Sequence, residues 1–371
     1  MITPVDGHDR DAGVTLVVEQ LRRPVAGGIG TYARELVRAL VTTSEEVAQQ
    51  IVLYASRHLG GADPLAEFGC ALATSPLPGP LMTRMWELGL FGPPFKSSVV
   101  HALSLASPPT RDPLVVTIHD LAFRTHPETF TSHGRQWHER ALLRATKHAA
   151  YIVVPSAQVN QQLLDAGLSL TQDRVRVINE GADHLGVADQ DKTDELLGRL
   201  GVVGRFVLSV GTIEPRKNLG RLIAAFGEIR DDYDDPLVLV ICGPNGWMAN
   251  TDPTPGVIFA GHVAGPVLAG LYQRAAVVAY VPLEEGFGLP VAEAMFHGAV
   301  VLASPVPSAT SGAYLVDPQD TQAIADGLSQ TLTDEVLRAE LRREALAAIA
   351  GRTWAKTAAE HLALWDEVRG R

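Results

Sequence analysis

Two glutamates, Glu285 and Glu293, stand eight residues apart in VPLEEGFGLPVAEAMFHGAVVLAS (281–304). The run reads as a strand, a glycine-rich loop and a helix. Pro290 suits the first helical turn, and Glu293 falls about one turn later. Gly286 and Gly288 let a ligand approach the backbone closely. The amides of Phe287, Gly288 and Leu289 are placed to face an anion where the helix begins. Carboxylates accept hydrogen bonds, so the pair suits the paired hydroxyls of a sugar or a ribose. The plainer alternative is a capped helix after a buried strand, with Glu favoured early by the helix dipole.

A second strand–loop–helix run, VGTIEPRKNLGRLIAAF (210–226), carries Arg216 and Lys217 just before its helix. Two cations beside a helix N-terminus suit a diphosphate: Arg forks onto two oxygens and Lys acts as a point charge. They read equally as two solvated surface cations. In AGGIGTYARELVRAL (26–40), Gly27, Gly28 and Gly30 precede a helix, and Gly28, Gly30 and Ala33 form G-x-G-x-x-A. That string is a weak dinucleotide signal, since the gap from the strand is long and the second strand ends without an acid for a ribose. The loop reads as a phosphate- or sugar-facing turn, or as a plain tight turn. In TIHDLAF (117–123), His119 and Asp120 end a strand. A histidine there can donate to a sugar hydroxyl, and Asp120 could orient or charge it. A structural histidine is the alternative.

These loops need strands to hold them. VTLVVEQ (14–20), IVLYAS (51–56), SVVHAL (98–103), LVVTIHD (114–120), YIVVPS (151–156) and RVRVIN (174–179) read as strands of a first half. FVLSVG (206–211), PLVLVICG (236–243), VIFAG (257–261) and VVAYVP (277–282) restart the rhythm. Helical patterns lie between them, at 31–40, 135–149, 218–229 and 265–275. Strands alternating with helices imply parallel sheets, and ligands bind beyond the carboxyl ends of such strands. GADHLGVADQDKTDE (181–195) reads as an acidic linker, with the domain boundary near 184–200.

Composition narrows the class. Of 371 residues, 46% are apolar and 20% charged, so the chain is globular. The net charge of −11, with acids outnumbering bases in both halves, argues against general nucleic-acid binding. The two cysteines, Cys70 and Cys242, lack metal-type spacing and fit a reducing compartment. The polar N-terminus does not read as a signal peptide, and no apolar run approaches the ~18 residues of a membrane span. The expectation is a cytoplasmic protein, with a place at the inner face of the membrane left open.

Taken together, EGFGLPVAEAM (285–295), VGTIEPRKNL (210–219), GGIGTYARELVRAL (27–40), TIHDLAF (117–123) and GHVAGPVLAGLYQRA (261–275) resemble, in order, the retaining nucleotide-sugar-dependent glycosyltransferases of family 4. The resemblance implies the α/β GT-B fold: two Rossmann-like domains whose parallel sheets face across a cleft. It implies an N-terminal acceptor-side domain (1–190), a nucleotide-sugar domain (191–350) and a C-terminal helix (351–371) crossing back to the first. Arg216 and Lys217 would neutralise the donor diphosphate, and Glu293 would hold the ribose. Glu285 would contact the donor sugar ring, and backbone near His262 and Val263 would meet the base. Gly28 would close over the donor phosphates, and His119 would touch the transferred sugar. No metal and no cofactor beyond the nucleoside-diphosphate sugar is implied, because cations and helix termini stabilise the leaving group.

The EPRKN subtype points to hexose, mannosyl-like transfer to a glycan or lipid-linked acceptor. Two departures from the family stand out: PVPSATSGAYLVDP (305–318) is short and lacks the usual Pro-Glu-Val turn, and Thr212 stands where Gly-Arg is usual. They keep open a catalytically silent sugar-binding or scaffold protein; a nicotinamide-dependent oxidoreductase rests only on the glycine string. Arg135, Arg140, Arg144 and Lys147 beside the apolar WELGLFGPPF (86–95) fit a peripheral membrane contact or, alternatively, a solvated helix face.

Overall fold

The structure is a computed structural model and describes residues 12–23, 27–58, 60–233, 235–246, 251–309 and 311–370. Its first seven strands are β1 (Ala12–Val17), β2 (Ile51–Ala55), β3 (Ala71–Thr74), β4 (Ser97–Ala102), β5 (Leu114–Thr117), β6 (Tyr151–Val154) and β7 (Val175–Val177). The next six are β8 (Phe206–Val210), β9 (Val238–Cys242), β10 (Val257–Gly261), β11 (Val277–Tyr280), β12 (Val301–Ala303) and β13 (Ala313–Leu315). They form two sheets, ordered β3-β2-β1-β4-β5-β6-β7 and β10-β9-β8-β11-β12-β13. Every strand pairing within both is parallel. The strand sequences follow from that arrangement. A parallel sheet is covered on both faces, so its strands read as continuous apolar runs; IVLYA in β2 is buried at every position.

In each sheet the strand order reverses once, between β1 and β4 in the first and between β8 and β11 in the second. Connections leave such a point in opposite directions and open a crevice at the carboxyl ends of the strands. The chain therefore makes two Rossmann-like α/β units. One comprises the chain to Glu180 together with Trp354 onward, and the other is Gly181–Thr353. The break precedes the expected residue 190 because segment 181–190 is bonded to the second unit. Ala182 N–H donates to Arg352 O at 3.1 Å, and Asp189 N–H donates to Pro266 O at 3.0 Å. The helix Trp354–Arg369 packs in the first unit against the helix Gly27–Thr43.

Three local expectations are corrected. The strand expected over 14–20 stops at Val17, and Glu19–Arg22 forms a 3-10 turn. The buried Glu19 carboxylate accepts the Ser56 N–H at 2.7 Å, which holds that turn away from the ladder. The acidic stretch read as a linker runs into the helix Gln190–Arg199. Asp189 caps it by accepting the Lys192 N–H, and the helix buries Thr193, Leu196 and Leu197. Gly28 and Gly30 do not precede a helix but lie in the first turn of Gly27–Thr43.

The helix Gly265–Arg274 lies against Gln190–Arg199 without room between them. A Cβ on Gly270 would stand 2.1 Å from Thr193 Oγ1, itself bonded to Asp189 O at 2.6 Å. Gly270→Ala should therefore cost about 1–3 kcal/mol of stability, read as a lowered urea midpoint with an unchanged slope. A midpoint equal to wild type would show that these helices are not in contact.

Candidate functional site

The second unit concentrates its charge at the β8–β11 reversal. β8 ends at Val210 and leads through Glu214 to the 3-10 turn Pro215–Lys217. β11 ends at Tyr280 and leads to Glu285. Arg216 Nη1 lies 2.8 Å from Glu285 Oε1, and Arg216 Nη2 lies 3.0 Å from Glu214 Oε1. Lys217 Nζ donates to Glu285 Oε1 and, at 2.9 Å, to the Tyr280 hydroxyl. That hydroxyl in turn donates to Glu285 Oε1 at 2.9 Å. Arg216, Lys217 and Glu285 are each only 12–13% exposed at the side chain. Burial alone would raise the Glu285 carboxyl, but the neighbouring Arg216 and Lys217 outweigh it and hold it at about 2. Burial raises Glu214 in spite of Arg216.

The loops are tied so that these groups meet. Arg216 Nη1 also donates to Glu284 O at 3.0 Å, and Leu283 N–H donates to Arg216 O at 3.0 Å. Asn218 adopts the left-handed conformation, φ 58°, at the start of the helix Leu219–Ile229. Its Nδ2 donates to Val281 O at 3.0 Å and to Pro318 O at 2.7 Å, joining the two strand ends. Asparagine tolerates this φ because its short polar side chain bonds locally.

The glycine-rich loop turns at Gly288, φ 90°, into the helix Leu289–Phe296. A Cβ there would meet Ser308 Oγ and Val306 Cγ2, both at 2.7 Å. Ser308 braces the turn: its Oγ donates to Gly288 O at 2.7 Å and its N–H donates to Phe287 O at 2.9 Å. The short 305–318 segment thus supports the glycine-rich loop through Ser308. Phe287 and Leu289 turn their side chains inward, so only their backbone is placed to meet a ligand. Glu293, 5% exposed, joins neither cation. Its Oε1 lies 3.1 Å from His184 Nε2, and its Oε2 accepts the Tyr272 hydroxyl at 2.8 Å. Val263 and His262 line a hollow of about 200 Å³ beside Lys192 and Arg199. A larger one, about 500 Å³, lies between Glu214, Arg221 and Phe259. Neither of these two is lined by Arg216, Lys217 or Glu285.

In the first unit, His119 follows β5. Its Nε2 bonds Leu103 O at 3.0 Å, next to the β1–β4 reversal, where Leu103 N–H donates to Val17 O at 3.4 Å. The Tyr32 ring meets it edge-on at 4.7 Å. The expected pairing with Asp120 is corrected: Asp120 Oδ1 accepts the Ala122 N–H and starts the helical turn Ala122–Thr125. The carboxylate near His119 belongs to Glu180, 3.8 Å from Nδ1. Gly28 is open on its Cβ side, with nothing within 4 Å. It lies well past the end of β1, so the glycine string is not the strand-to-helix turn of a dinucleotide fold. Among the described residues no group of three His, Cys, Asp or Glu side chains is arranged to hold a metal ion.

Comparison with known proteins settles the class. Residues 26–184 match the model for Glycosyltransferase Family 4, and residues 204–334 match that for Glycosyl transferases group 1. The chain belongs to glycosyltransferase family 4. This glycosyltransferase is 26% identical over 268 residues to the O-antigen chain mannosyltransferase B of Escherichia coli, covering 66% of this chain and 68% of that one. It is 30% identical over 218 residues to the serotype-specific mannosyltransferase WbdA of Escherichia coli, covering 53% of this chain but only 26% of that longer protein. Its fold is shared with Anabaena HepE, solved in complex with UDP and glucose: TM-score 0.73 at 18% identity, over 96% of this chain and 100% of that one. The GT-B fold expected from the sequence is thus shown, and the oxidoreductase alternative gives way to a glycosyltransferase.

Sequence reasoning did not find Tyr280, Asn218, His184, Tyr272 or Glu180. Asn218 and Tyr272 stood within family motifs and Tyr280 and His184 within a strand and a linker, but nothing local attached any of them to its partner.

Ionised Glu285 is a measurable support. Its carboxyl is depressed from the ordinary 4.5 to about 2. The stabilisation is complete above the ordinary value and is lost as pH falls toward 2, about 3 kcal/mol in all. Urea midpoints of the wild type should therefore fall more steeply between about pH 5 and 2 than those of Glu285→Gln. Parallel curves would mean that the ion cluster does not form.

Proposed function

We propose that the protein transfers a hexose, a mannosyl group in the first instance, from a nucleoside-diphosphate sugar to a glycan or lipid-linked acceptor with retention of anomeric configuration. The observation that carries this reading is the buried Glu285–Arg216–Lys217 cluster at the crevice of the second sheet. The mannosyl choice rests on the names of the two Escherichia coli relatives.

In this reading Arg216 and Lys217 bind the donor diphosphate and stabilise the charge that develops as the nucleotide departs. An incoming diphosphate then competes with Glu285 for its two cations. Glu285, released in part, accepts hydrogen bonds from hydroxyls of the donor sugar. The helix starting after Gly288 presents its first N–H groups, which lack intrahelical acceptors, to the same anion. Glu293 holds the ribose hydroxyls, steadied by His184 and Tyr272. The backbone at Val263 meets the base, and the backbone at Gly28 lies over the donor phosphates. His119 is assigned to the transferred sugar, and the acceptor attacks from the face the diphosphate leaves. Charge neutralisation falls to side chains, so the reading gives no role to a metal ion.

No helix among the described residues is long and apolar enough to cross a membrane. We assign the acceptor side to a peripheral contact with anionic lipid. Leu88, Leu90 and Phe91 are 48–60% exposed in the apolar loop, and Arg140 of the basic helix Ser132–His148 stands 3.7 Å from Glu87 at the loop's start. Apolar side chains beside cations suit such a surface.

A panel of GDP-, UDP- and dTDP-sugars tests the transfer. One donor should be turned over or slowly hydrolysed, and Arg216→Ala or Lys217→Ala should lower kcat roughly a hundredfold. Binding without turnover of any donor would favour a silent sugar-binding protein, and absence of binding would overturn the reading. For the membrane contact, the wild type should sediment with phosphatidylglycerol vesicles, and Leu90→Asp with Phe91→Asp should release it; equal sedimentation of both would refute that contact.

A further inference from the structure

Behind His119 a line of buried polar groups runs from the helix Trp354–Arg369 through the first unit. Trp365 Nε1 donates to His101 Nδ1 at 3.2 Å. His101 Nε2 meets Thr117 Oγ1 at 2.9 Å, and Thr117 Oγ1 meets the Tyr32 hydroxyl at 3.3 Å. The Tyr32 hydroxyl meets His361 Nε2 at 2.9 Å, and His361 Nδ1 meets Thr357 O at 2.7 Å. All five side chains are at most 1% exposed.

The two ends determine every proton between them. An indole N–H only donates, so His101 Nδ1 must be the acceptor and its proton sits on Nε2. A carbonyl only accepts, so His361 carries its proton on Nδ1 and takes one at Nε2. The direction is therefore Trp365 to His101 to Thr117 to Tyr32 to His361 to the Thr357 carbonyl. Each donor has its acceptor, the condition under which a buried network rigidifies its surroundings. The chain requires both histidines neutral, and burial draws His361 down to about 4 and His101 well below its ordinary value.

The product of this line is a fixed Tyr32 ring, and that ring packs edge-on against His119. We propose that Tyr32 and His361 are positioning residues for His119, so that the helix Trp354–Arg369 orients the group assigned to the transferred sugar. This rests on that assignment. Trp354 adds a second edge contact to Tyr32, with ring centroids 6.0 Å apart.

Long-range proton–nitrogen correlation on ¹⁵N-histidine-labelled protein, with His101→Gln and His361→Gln to assign the signals, reads the protons directly. The expected result at neutral pH is His101 protonated on Nε2 and His361 on Nδ1; the reverse tautomers, or a charged ring at either position, would overturn the chain. Kinetics with GDP-mannose or UDP-glucose, whichever the wild type turns over, reads the consequence. Tyr32→Phe and His361→Leu should lower kcat roughly tenfold with donor KM within about twofold. His361→Gln, whose amide oxygen can accept the Tyr32 hydrogen, should recover most of the loss. An unchanged kcat in Tyr32→Phe, or equal losses in the Leu and Gln variants, would refute the positioning role. A wild type that turns over no nucleotide sugar would instead remove the role of His119 itself, with the tautomers still decided by the spectra.

Discussion

A carboxylate buried against two cations at the end of a parallel sheet is the constraint on which the second unit's arrangement depends. Charges taken out of water are costly unless they are paired and hydrogen-bonded on all sides. Glu285 meets that demand with Arg216, Lys217 and Tyr280, and Glu214 shares Arg216. Two acids and two bases leave the cluster neutral. Under the proposed function the same pairing is what a donor diphosphate would displace, since a diphosphate offers the cations more negative charge than a carboxylate does. The connecting bonds, from Asn218 to Val281 and Pro318 and from Arg216 to Glu284, set the spacing of the cluster.

Topology explains why the cluster lies where it does. The reversal between β8 and β11 leaves their carboxyl ends uncovered by a crossover, and the loops that carry the charges are the two that leave those ends. The first sheet repeats the device at β1 and β4, and His119 hangs from the carbonyl of Leu103 beside that reversal. Both units thus carry their candidate charged groups on loops that follow strands.

The strands and the cation and glutamate loops were readable because buried parallel strands are continuous apolar runs and because glycine and proline punctuate the turns after them. Strand ends were less readable. VTLVVEQ looks uniform, yet Glu19 leaves the ladder to take the Ser56 N–H, a partner from another strand's end. The helix Gln190–Arg199 was hidden by its acidity, since three buried positions among ten residues make a narrow stripe. Asp120 sat next to His119 in sequence, but the residue after a strand turns away, and Glu180 arrives from beyond β7. His184 and Tyr272 could not be attached to Glu293 by any local pattern, because that contact joins three separate elements.

The second unit is spliced into the first, whose last helix begins only at Trp354. Tyr32 and His361 touch across 329 positions of chain. During synthesis the amino-terminal sheet emerges early and must wait, with the seat of that helix uncovered, until the entire second unit has left the ribosome. Closing so long a loop is slow, and the apolar seat is open to chaperones or to a neighbouring nascent chain meanwhile. Maturation of the first unit is thereby timed by the synthesis of the helix Trp354–Arg369.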